Sequence, residues 1–423
     1  MHGSARSLLV FADPVAHASS GSLKIHQYYS LALLASARFR RNHSDFSENQ
    51  RSPSFHLGGF LLCASLFACE TGVSNTTDAM GDAAADVSVN TLDDAKAPDA
   101  STPSAWIVVA ADFATGAGCG DDLGNRGCDI FRAKVSLPGL ELLTLDRITM
   151  GDGPHSFPTI AAAGDRVYFR TGDGSSDRSI YGWVNGALTG SLLGKASYPA
   201  LFPDALSFIY VDDGNNLARA WLSSDGTKVE RSDTYGRTPP RGDPDVSPDG
   251  NFVLFNETGG GGGSGSGTSQ ARVLNLSSSA VADVSAKDGS GHCVFSASGK
   301  LAVCDSRSSG GLRAWDWDGT KASNERSFIA DPSLTNVGDD YRSCRTRSVN
   351  YPGFCGDDAH VLVVVSCTTT LDGGESGSAF SKLFLVDLSS GVPKYRALSD
   401  EWSSRGGGKG TRAWTPACRA ATP

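Results

Sequence analysis

The cysteines are the residues whose placement in this sequence says most about its chemistry. Eight of the ten lie within residues 104–423, and no two stand in a Cys-x-x-Cys pair. Because a Cys-x-x-Cys pair is typical of zinc sites, its absence makes zinc the weaker interpretation. An even number of thiols in an exported chain favours disulfides. Cys119 and Cys128 flank one polar loop, CGDDLGNRGC, and could join across it.

Residues that carry out catalysis form no recognisable pattern. Beyond residue 104 the histidines are His155, His292 and His360, and none stands in a known motif. The run GGGGGSGSGTS at 259–269 contains no Gly-x-Ser-x-Gly, the turn that exposes a nucleophilic serine in hydrolases, and is typical of a flexible loop tip. The sequence therefore predicts a protein that is not an enzyme.

Three acid-rich loops offer the oxygen ligands that calcium prefers: CGDDLGNRGCD (119–129), GDGSSD (172–177) and DDGNN (212–216). None has the spacing of an EF-hand, and the same residue types are typical of ordinary turns. We therefore expect no cofactor, with calcium as the alternative that these loops leave open.

Short β-hairpins recur along the chain from Ser104 onward. In DPDVSPDGNFVLF (243–255) a proline, an aspartate and a glycine predict a tight turn between two strands. Similar segments begin at Phe157, Tyr198, His292 and Tyr351, and each is followed by two further apolar runs. Positions 158, 199, 244, 293 and 352 align across these units at spacings of 41, 45, 49 and 59 residues, which is typical of four-stranded propeller blades.

The two ends of this region complete the count of blades. Residues 105–148 supply three strands without the first one, and the chain ends in AWTPACRAATP, a first strand with nothing after it. Together they make one blade and cover edges that would otherwise be open. The sequence thus predicts an all-β, six-bladed propeller over 104–423, closed by a C-terminal strand that completes blade 1; a β-sandwich is the alternative.

The hairpins also suggest disulfide pairs. If Ser298 and Gly299 form a two-residue turn, Cys293 and Cys304 lie opposite each other on adjacent strands. Cys344 and Cys367 are expected at one end of blade 6. Cys355 and Cys418 are then left, on neighbouring inner strands across the ring closure.

The amino-terminal part of the chain is predicted to direct export. LGGFLLCASLFA (57–68) is apolar but too short to cross a bilayer, so 1–68 is interpreted as a signal peptide with a misassigned upstream start. LFAC resembles the bacterial lipobox, which implies that Cys69 is lipid-modified and holds the chain to a membrane of the envelope, on the periplasmic side or at the cell surface. Residues 69–103 are acidic, lack aromatic side chains and are predicted to be a flexible linker.

The segment PDVSPDGNFVLF resembles the Pro-Asp repeat of the propeller domain of TolB, and the resemblance extends over about 104–423. The amino-terminal α/β domain of TolB has no counterpart here. The resemblance implies the propeller fold and a propensity for binding proteins or envelope components, but not the partners of TolB itself.

Long insertions at 115–128, 256–270, 331–349 and 371–381 are expected on one face, called here the long-loop face. Long loops on a rigid scaffold are where binding usually resides, so a protein or envelope component is the expected partner. A carbohydrate-binding or carbohydrate-cleaving propeller is the alternative. Four tryptophans in third strands fit packing better than a sugar platform: Trp183, Trp221, Trp315 and Trp317. With a net charge of −9 and no basic stripe, nucleic-acid binding is not expected.

Overall fold

A computed structural model describes most of the region from residue 103 onward. Its described residues are 103–116, 119, 128–137, 141–150, 153–172, 177–235, 244–258, 269–286, 289–306, 310–329, 346–370, 376–408 and 410–422. The predicted signal peptide (1–68), Cys69, the linker up to residue 102 and Cys344 lie outside them. No helix in these ranges is long and apolar enough to cross a membrane.

Six four-stranded antiparallel sheets make up the described fold. Blade 1 holds β1 (Ser104–Ala111), β2 (Asp129–Ser136), β3 (Leu142–Arg147) and β24 (Ala413–Ala420). Blade 2 holds β4 (His155–Ile160), β5 (Arg166–Thr171), β6 (Ser179–Val184) and β7 (Ala187–Gly194), and blade 3 holds β8 (Ser197–Leu201), β9 (Ser207–Val211), β10 (Leu217–Leu222) and β11 (Val229–Thr234). Blade 4 holds β12 (Asp245–Val246), β13 (Phe252–Thr258), β14 (Ser269–Asn275) and β15 (Val281–Asp283). Blade 5 holds β16 (Ser290–Phe295), β17 (Leu301–Ser306), β18 (Leu312–Trp317) and β19 (Ala322–Ile329), and blade 6 holds β20 (Thr346–Phe354), β21 (His360–Thr370), β22 (Ser376–Asp387) and β23 (Lys394–Ala397). Between β23 and β24 lies the helix α1 (Ser399–Gly406).

The order of strands confirms the six-bladed propeller. Strands pair in chain order in blades 2 to 6, whereas blade 1 has the order β24-β1-β2-β3. The inner strands β24, β4, β8, β12, β16 and β20 each contact the next in turn, and β20 contacts β24 again, so the ring is closed.

The tight turn of blade 4 shows why these segments fold as hairpins. The backbone N–H of Ser247 donates to the carbonyl of Phe252, and the N–H of Asn251 donates to the carboxylate of Asp249 at 3.0 Å. Gly250 has a φ of +72°, which favours glycine because other side chains meet their own backbone there. Turns of this kind lie on the face opposite the long insertions, called here the tight-turn face.

The closing strand β24 continues the sheet of blade 1 at its inner edge. Ala105 pairs with Ala420 and Ile107 with Cys418, and beyond the strand the N–H of Ala421 donates to the carbonyl of Ser104 at 2.8 Å. One cluster of buried side chains spans blades 1, 2 and 6, so the core is continuous across the closure.

Three disulfides have both partners in the described residues, and they are pairs that the sequence suggests. They join Cys119 to Cys128, Cys293 to Cys304 and Cys355 to Cys418. Cys367 is also disulfide-bonded. The pairing of Cys367 with Cys344 stays a prediction, because Cys344 is outside the described residues.

The strands run further into three of the long insertions than the sequence indicates. β13 extends to Thr258, β14 begins at Ser269, and β20 begins at Thr346. In blade 6, β21 and β22 have 11 and 12 residues, so their hairpin projects on the long-loop face. What remains of these insertions, at 259–268, 331–345 and 371–375, is outside the described residues.

Removal of the disulfide Cys355–Cys418, which joins blade 6 to the closing strand β24, tests how much this contact contributes to stability. Cys355 and Cys418 are 63 residues apart, whereas Cys119 and Cys128 are 9 apart. A cross-link stabilises more when it closes a longer loop of the unfolded chain, by about 4 kcal/mol for the first pair and about 2.5 kcal/mol for the second. We therefore expect C355S/C418S to lower the free energy of unfolding in urea more than C119S/C128S does. An equal or smaller loss would contradict the larger contribution expected of the closing disulfide.

Candidate functional site

An irregularity recurs on the inner strands where each one faces the central channel. The residue before the proline has a positive φ, between +46° and +57°, in four blades: Phe157, Tyr198, Tyr351 and Thr415. The strand register shifts at each of these points, as it does in β-bulges. A left-handed backbone is unfavourable for bulky residues and is found mainly where the surrounding structure imposes it, often at functional sites.

The bulges bring five ring-bearing side chains into a continuous arc around the channel. Tyr198 contacts Phe157 with ring centroids 4.5 Å apart, and Phe157 contacts Trp414 at 5.4 Å. Trp414 in turn contacts Tyr351 at 5.8 Å, and Tyr351 contacts His292 at 3.7 Å. This aromatic arc crosses blades 3, 2, 1, 6 and 5, so five separate segments of the chain must be in place to form it.

The arc borders a small pocket on the long-loop side of the channel. The pocket has a volume of about 100 Å³, and its lining includes four members of the arc: Phe157, Tyr198, His292 and Tyr351. A cavity of this size accommodates one protein side chain or part of a larger ligand. The pocket therefore offers an aromatic wall with one imidazole, fixed at the axis of a rigid ring.

A buried acid holds the imidazole of the arc in place. His292 Nδ1 lies 2.8 Å from Asp305 Oδ2, and the backbone N–H of His292 donates to Asp305 Oδ1 at 3.0 Å. Asp305 is only 4% exposed. A β carbon at Gly291 would lie 1.7 Å from Asp305 Oδ1, so only glycine allows this carboxylate to approach the strand. The contact fixes the orientation of the His292 ring toward the pocket.

A cation lies at the other end of the arc. The guanidinium of Arg170 is 5.0 Å from the ring of Phe157 and 5.8 Å from that of Tyr198, and the residue is 8% exposed. Cation–π contacts of this kind stabilise the rings against rotation and add positive potential on one side of the pocket. The arc thus carries a cationic group near blades 2 and 3 and an anionic group behind His292 in blade 5.

Among the described residues, Asp245 is the one carboxylate that lines the channel below the arc. Asp245 Oδ2 accepts a hydrogen bond from the N–H of Phe295 at 2.8 Å. Burial raises the pKa of this carboxyl, and the nearby charge of Arg419 works against that rise. Toward the tight-turn face the channel widens into a cavity of about 270 Å³, and Asp245 and Arg419 both line it. A polar ligand would find one acid and one base there, but no second carboxylate among the described lining residues.

The tryptophans named from the sequence serve packing. Trp315 and Trp317 are buried in blade 5. The ring of Trp183 is covered by the guanidinium of Arg132, 4.4 Å from its centroid. In the same way, Arg231 lies 3.8 Å from the ring of Trp221. Because guanidinium groups occupy these two ring faces, the packing interpretation fits the structure better than a sugar platform.

The acid-rich loops show ordinary turn chemistry where they are described. Asp212 Oδ1 accepts from the backbone N–H of Asn216 at 2.8 Å, which closes the loop 212–216 on itself. Most of the other two loops is outside the described residues. Within the described ones, no group of three or more His, Cys, Asp or Glu is placed to hold a metal ion.

His360 does not join the arc. Its Nδ1 lies 2.8 Å from Asp357 Oδ2, beside the tight turn of blade 6. The arc itself was not expected from the sequence, although a signal was present: the residue before the aligned proline is aromatic in FP (157–158) and in YP (198–199 and 351–352).

Solved structures resemble this chain in architecture. TolB from Acinetobacter baumannii is 14% identical with a TM-score of 0.49, over 74% of this chain and 66% of that one, so this chain spans less than two thirds of its length. A TolB candidate from Agrobacterium tumefaciens is 13% identical with a TM-score of 0.41, over 70% and 90% of the two chains. An oligogalacturonate lyase from Vibrio parahaemolyticus is 10% identical with a TM-score of 0.39, over 64% and 69%. No family model and no curated protein matches the chain. Likeness at this level identifies no shared activity, and the six-bladed architecture rests on the order of strands described above.

The half-buried imidazole of His155, at the start of β4, makes stability depend on pH. Burial lowers its pKa to about 4 from 6.5, and among the described residues its Nδ1 has no hydrogen-bond partner. Below pH 6.5 the unfolded chain binds a proton here that the native chain does not. The free energy of unfolding should therefore fall by up to about 3 kcal/mol as the pH drops from 6.5 to 4.

Urea unfolding at pH 7.5 and pH 4.5 of the native chain and of H155Q measures this effect. H155Q should lose less stability than the native chain over that interval, because its side chain does not titrate. The control is the difference between the two chains at pH 7.5, where His155 is neutral in both states, because it gives the cost of the substitution itself. If the native chain and H155Q lose the same amount, His155 is not buried in its neutral form.

Proposed function

We propose that this protein is an exported, non-catalytic binding propeller. It captures a protein or a component of the cell envelope on the long-loop face, with the aromatic arc as the fixed centre of the contact. The observation that carries the proposal is the pocket at the axis, lined by rings from four blades, three of them on residues with a positive φ. Disulfides in the described fold support export, because such bonds persist in oxidising compartments.

Three features of the arc suit recognition of another molecule. Aromatic side chains supply large contact areas with little loss of conformational freedom, which is why they dominate the centres of interfaces. Ring contacts and the Asp305–His292 contact hold the arc in one arrangement before a ligand arrives. The projecting β21–β22 hairpin provides a further edge on the same face. A preformed centre with longer elements around it is typical of binding sites on rigid scaffolds.

The chemistry of the pocket supports binding rather than cleavage. Glycoside hydrolysis commonly requires two carboxyl groups that flank the scissile bond. Among the described residues that line the pocket, Asp245 is the one carboxylate, and Asp305 is engaged by His292 behind the wall. In the proposed function the lipid on Cys69 and the acidic linker that follows it keep the propeller close to a membrane of the envelope.

Carbohydrate binding is the second candidate, and one observation favours it. Aromatic side chains line the mouth of the channel instead of being scattered over the face. Sugars stack on such rings, and His292 or Asp245 could bind their hydroxyl groups. The chemical identity of the molecule bound at the arc, protein or glycan, therefore distinguishes the two candidates.

Photocrosslinking in intact cells tests the proposal. A photoreactive phenylalanine analogue at Tyr198, which lines the pocket and is half-buried, should yield a covalent adduct with a defined protein that mass spectrometry can identify. The same analogue at Lys228, exposed on the tight-turn face of blade 3, is the control and should not yield that adduct. A glycan adduct at Tyr198 would favour the second candidate. Equal labelling from both positions would contradict a binding site at the arc.

Substitutions in the arc should weaken the same contact. With the partner identified, Y198A should reduce its affinity about tenfold or more, since truncation of a central aromatic residue typically costs 2 kcal/mol or more. Y181A is the matched control, because Tyr181 is a half-buried tyrosine that packs on Phe169 and does not line the pocket. Calorimetric titration of both variants would show equal affinities if Tyr198 plays no part.

A further inference from the structure

The tight-turn face carries a second and larger concavity. A groove of about 930 Å³ lies between the turns of blades 4 and 5, and a turn of blade 6 forms one wall. Its volume is near the upper end of the range for ligand pockets, about 300–1,000 Å³. Hydrogen bonds tie the blades together here, because Asp358 of blade 6 accepts from the N–H of Ser298 of blade 5 at 2.9 Å. The groove is therefore a fixed feature of three blades, and the aromatic arc is not part of it.

Four carboxylates surround this groove: Asp249, Asp316, Asp318 and Asp358. Among the described lining residues Lys300 is the one basic residue, and from outside the lining Arg326 pairs with Asp316 at 2.8 Å and the charge of Lys321 acts on Asp318. Even with these three cations counted, the four acids are in excess.

Hydrogen bonds favour the ionised form of three of these acids, Asp249, Asp316 and Asp318. Asp318 Oδ1 accepts from the backbone N–H groups of Thr320 and Lys321 at 2.8 and 2.9 Å. Side-chain and backbone donors lower the pKa of Asp318 to about 2, and hydrogen bonds also lower the pKa values of Asp249 and Asp316. The negative charge of these three acids is thus present over the whole physiological pH range.

The floor of the groove is aromatic and includes a polar group without a partner. The ring of Phe252 meets that of Trp317 edge-on, with centroids 5.7 Å apart. Trp317 is 7% exposed, and its Nε1 has no hydrogen-bond acceptor among the described residues. A buried N–H group without an acceptor is unfavourable, and because this one has almost no accessible surface, an occupant of the groove would reach it only if the ring shifted.

An acidic rim above an aromatic floor selects for one kind of side chain. Lysine and arginine have an apolar stem that packs on rings and a cationic head that reaches carboxylates. We propose that the groove between blades 4 and 5 docks a lysine- or arginine-rich segment of a partner protein. This contact is separate from the one at the arc, so the propeller can hold two molecules, one on each face.

Titration of a labelled peptide onto the purified protein tests the docking site. Fluorescein-labelled octalysine is the probe, and fluorescence anisotropy gives its Kd at 50, 100 and 200 mM salt. The double variant D249N/D318N keeps an oxygen acceptor in each turn but removes two charges from the groove. We expect it to weaken binding about tenfold or more and to flatten the dependence of Kd on salt.

The chain offers a matched control in blade 3. Asp204 and Asp225 occupy the corresponding turns there and likewise accept backbone hydrogen bonds, from Leu206 and Thr227. D204N/D225N removes the same charge from the protein but none from the groove, so its Kd should stay within about twofold of the native value. Equal weakening by both double variants, or no binding of octalysine at all, would overturn the proposal. The assignment of a cationic occupant would also be overturned if octalysine did not bind and an oligosaccharide bound to the native protein but not to D249N/D318N.

Discussion

The pairing of β24 with β1 is the interaction on which the rest of the structure depends. Each blade is a sheet with one edge at the channel, and a ring of such sheets is stable only if its first and last members are joined. Here the join lies inside blade 1, where β24 supplies the inner strand of a sheet whose other three strands are the first three of the described fold. The same strand carries Trp414 and Thr415 at the axis and Cys418 at the seam to blade 6. The strand that closes the ring therefore also supplies the central ring of the arc, so the complete arc forms only when the ring is closed.

The arc shows how a closed ring can keep an unfavourable local conformation. A positive φ costs a bulky residue on the order of 1–3 kcal/mol, and four inner strands share this feature. No single hairpin would hold such a bulge by itself. In the ring, every inner strand is packed between two others, so the left-handed residues and their rings are held from both sides. The pocket is a property of the assembled propeller rather than of any one segment.

The sequence predicts the fold in considerable detail and the candidate site hardly at all. Turn residues such as those of SPDG act locally, and the aligned prolines repeat, so blades and closure can be inferred from short segments. Opposed cysteines, such as Cys293 and Cys304, follow from a single hairpin. The arc depends on which residue of each inner strand takes a positive φ and on five blades meeting at the axis. The groove likewise combines Asp249, Asp318 and Asp358, which are far apart in sequence, and only the packing of blades brings them together.

The most direct test of this account is hydrogen exchange of β1, measured by mass spectrometry on the full chain and on a chain that lacks residues 411–423. With β24 present, the amides of Ser104–Ala111 lie in the interior of a four-stranded sheet; without it, β1 becomes an open edge and the arc loses Trp414. The account predicts that the shortened chain exchanges these amides rapidly and unfolds without a sharp transition. Unchanged protection of β1, together with an unchanged melting temperature, would contradict the claim that the terminal strand closes the ring.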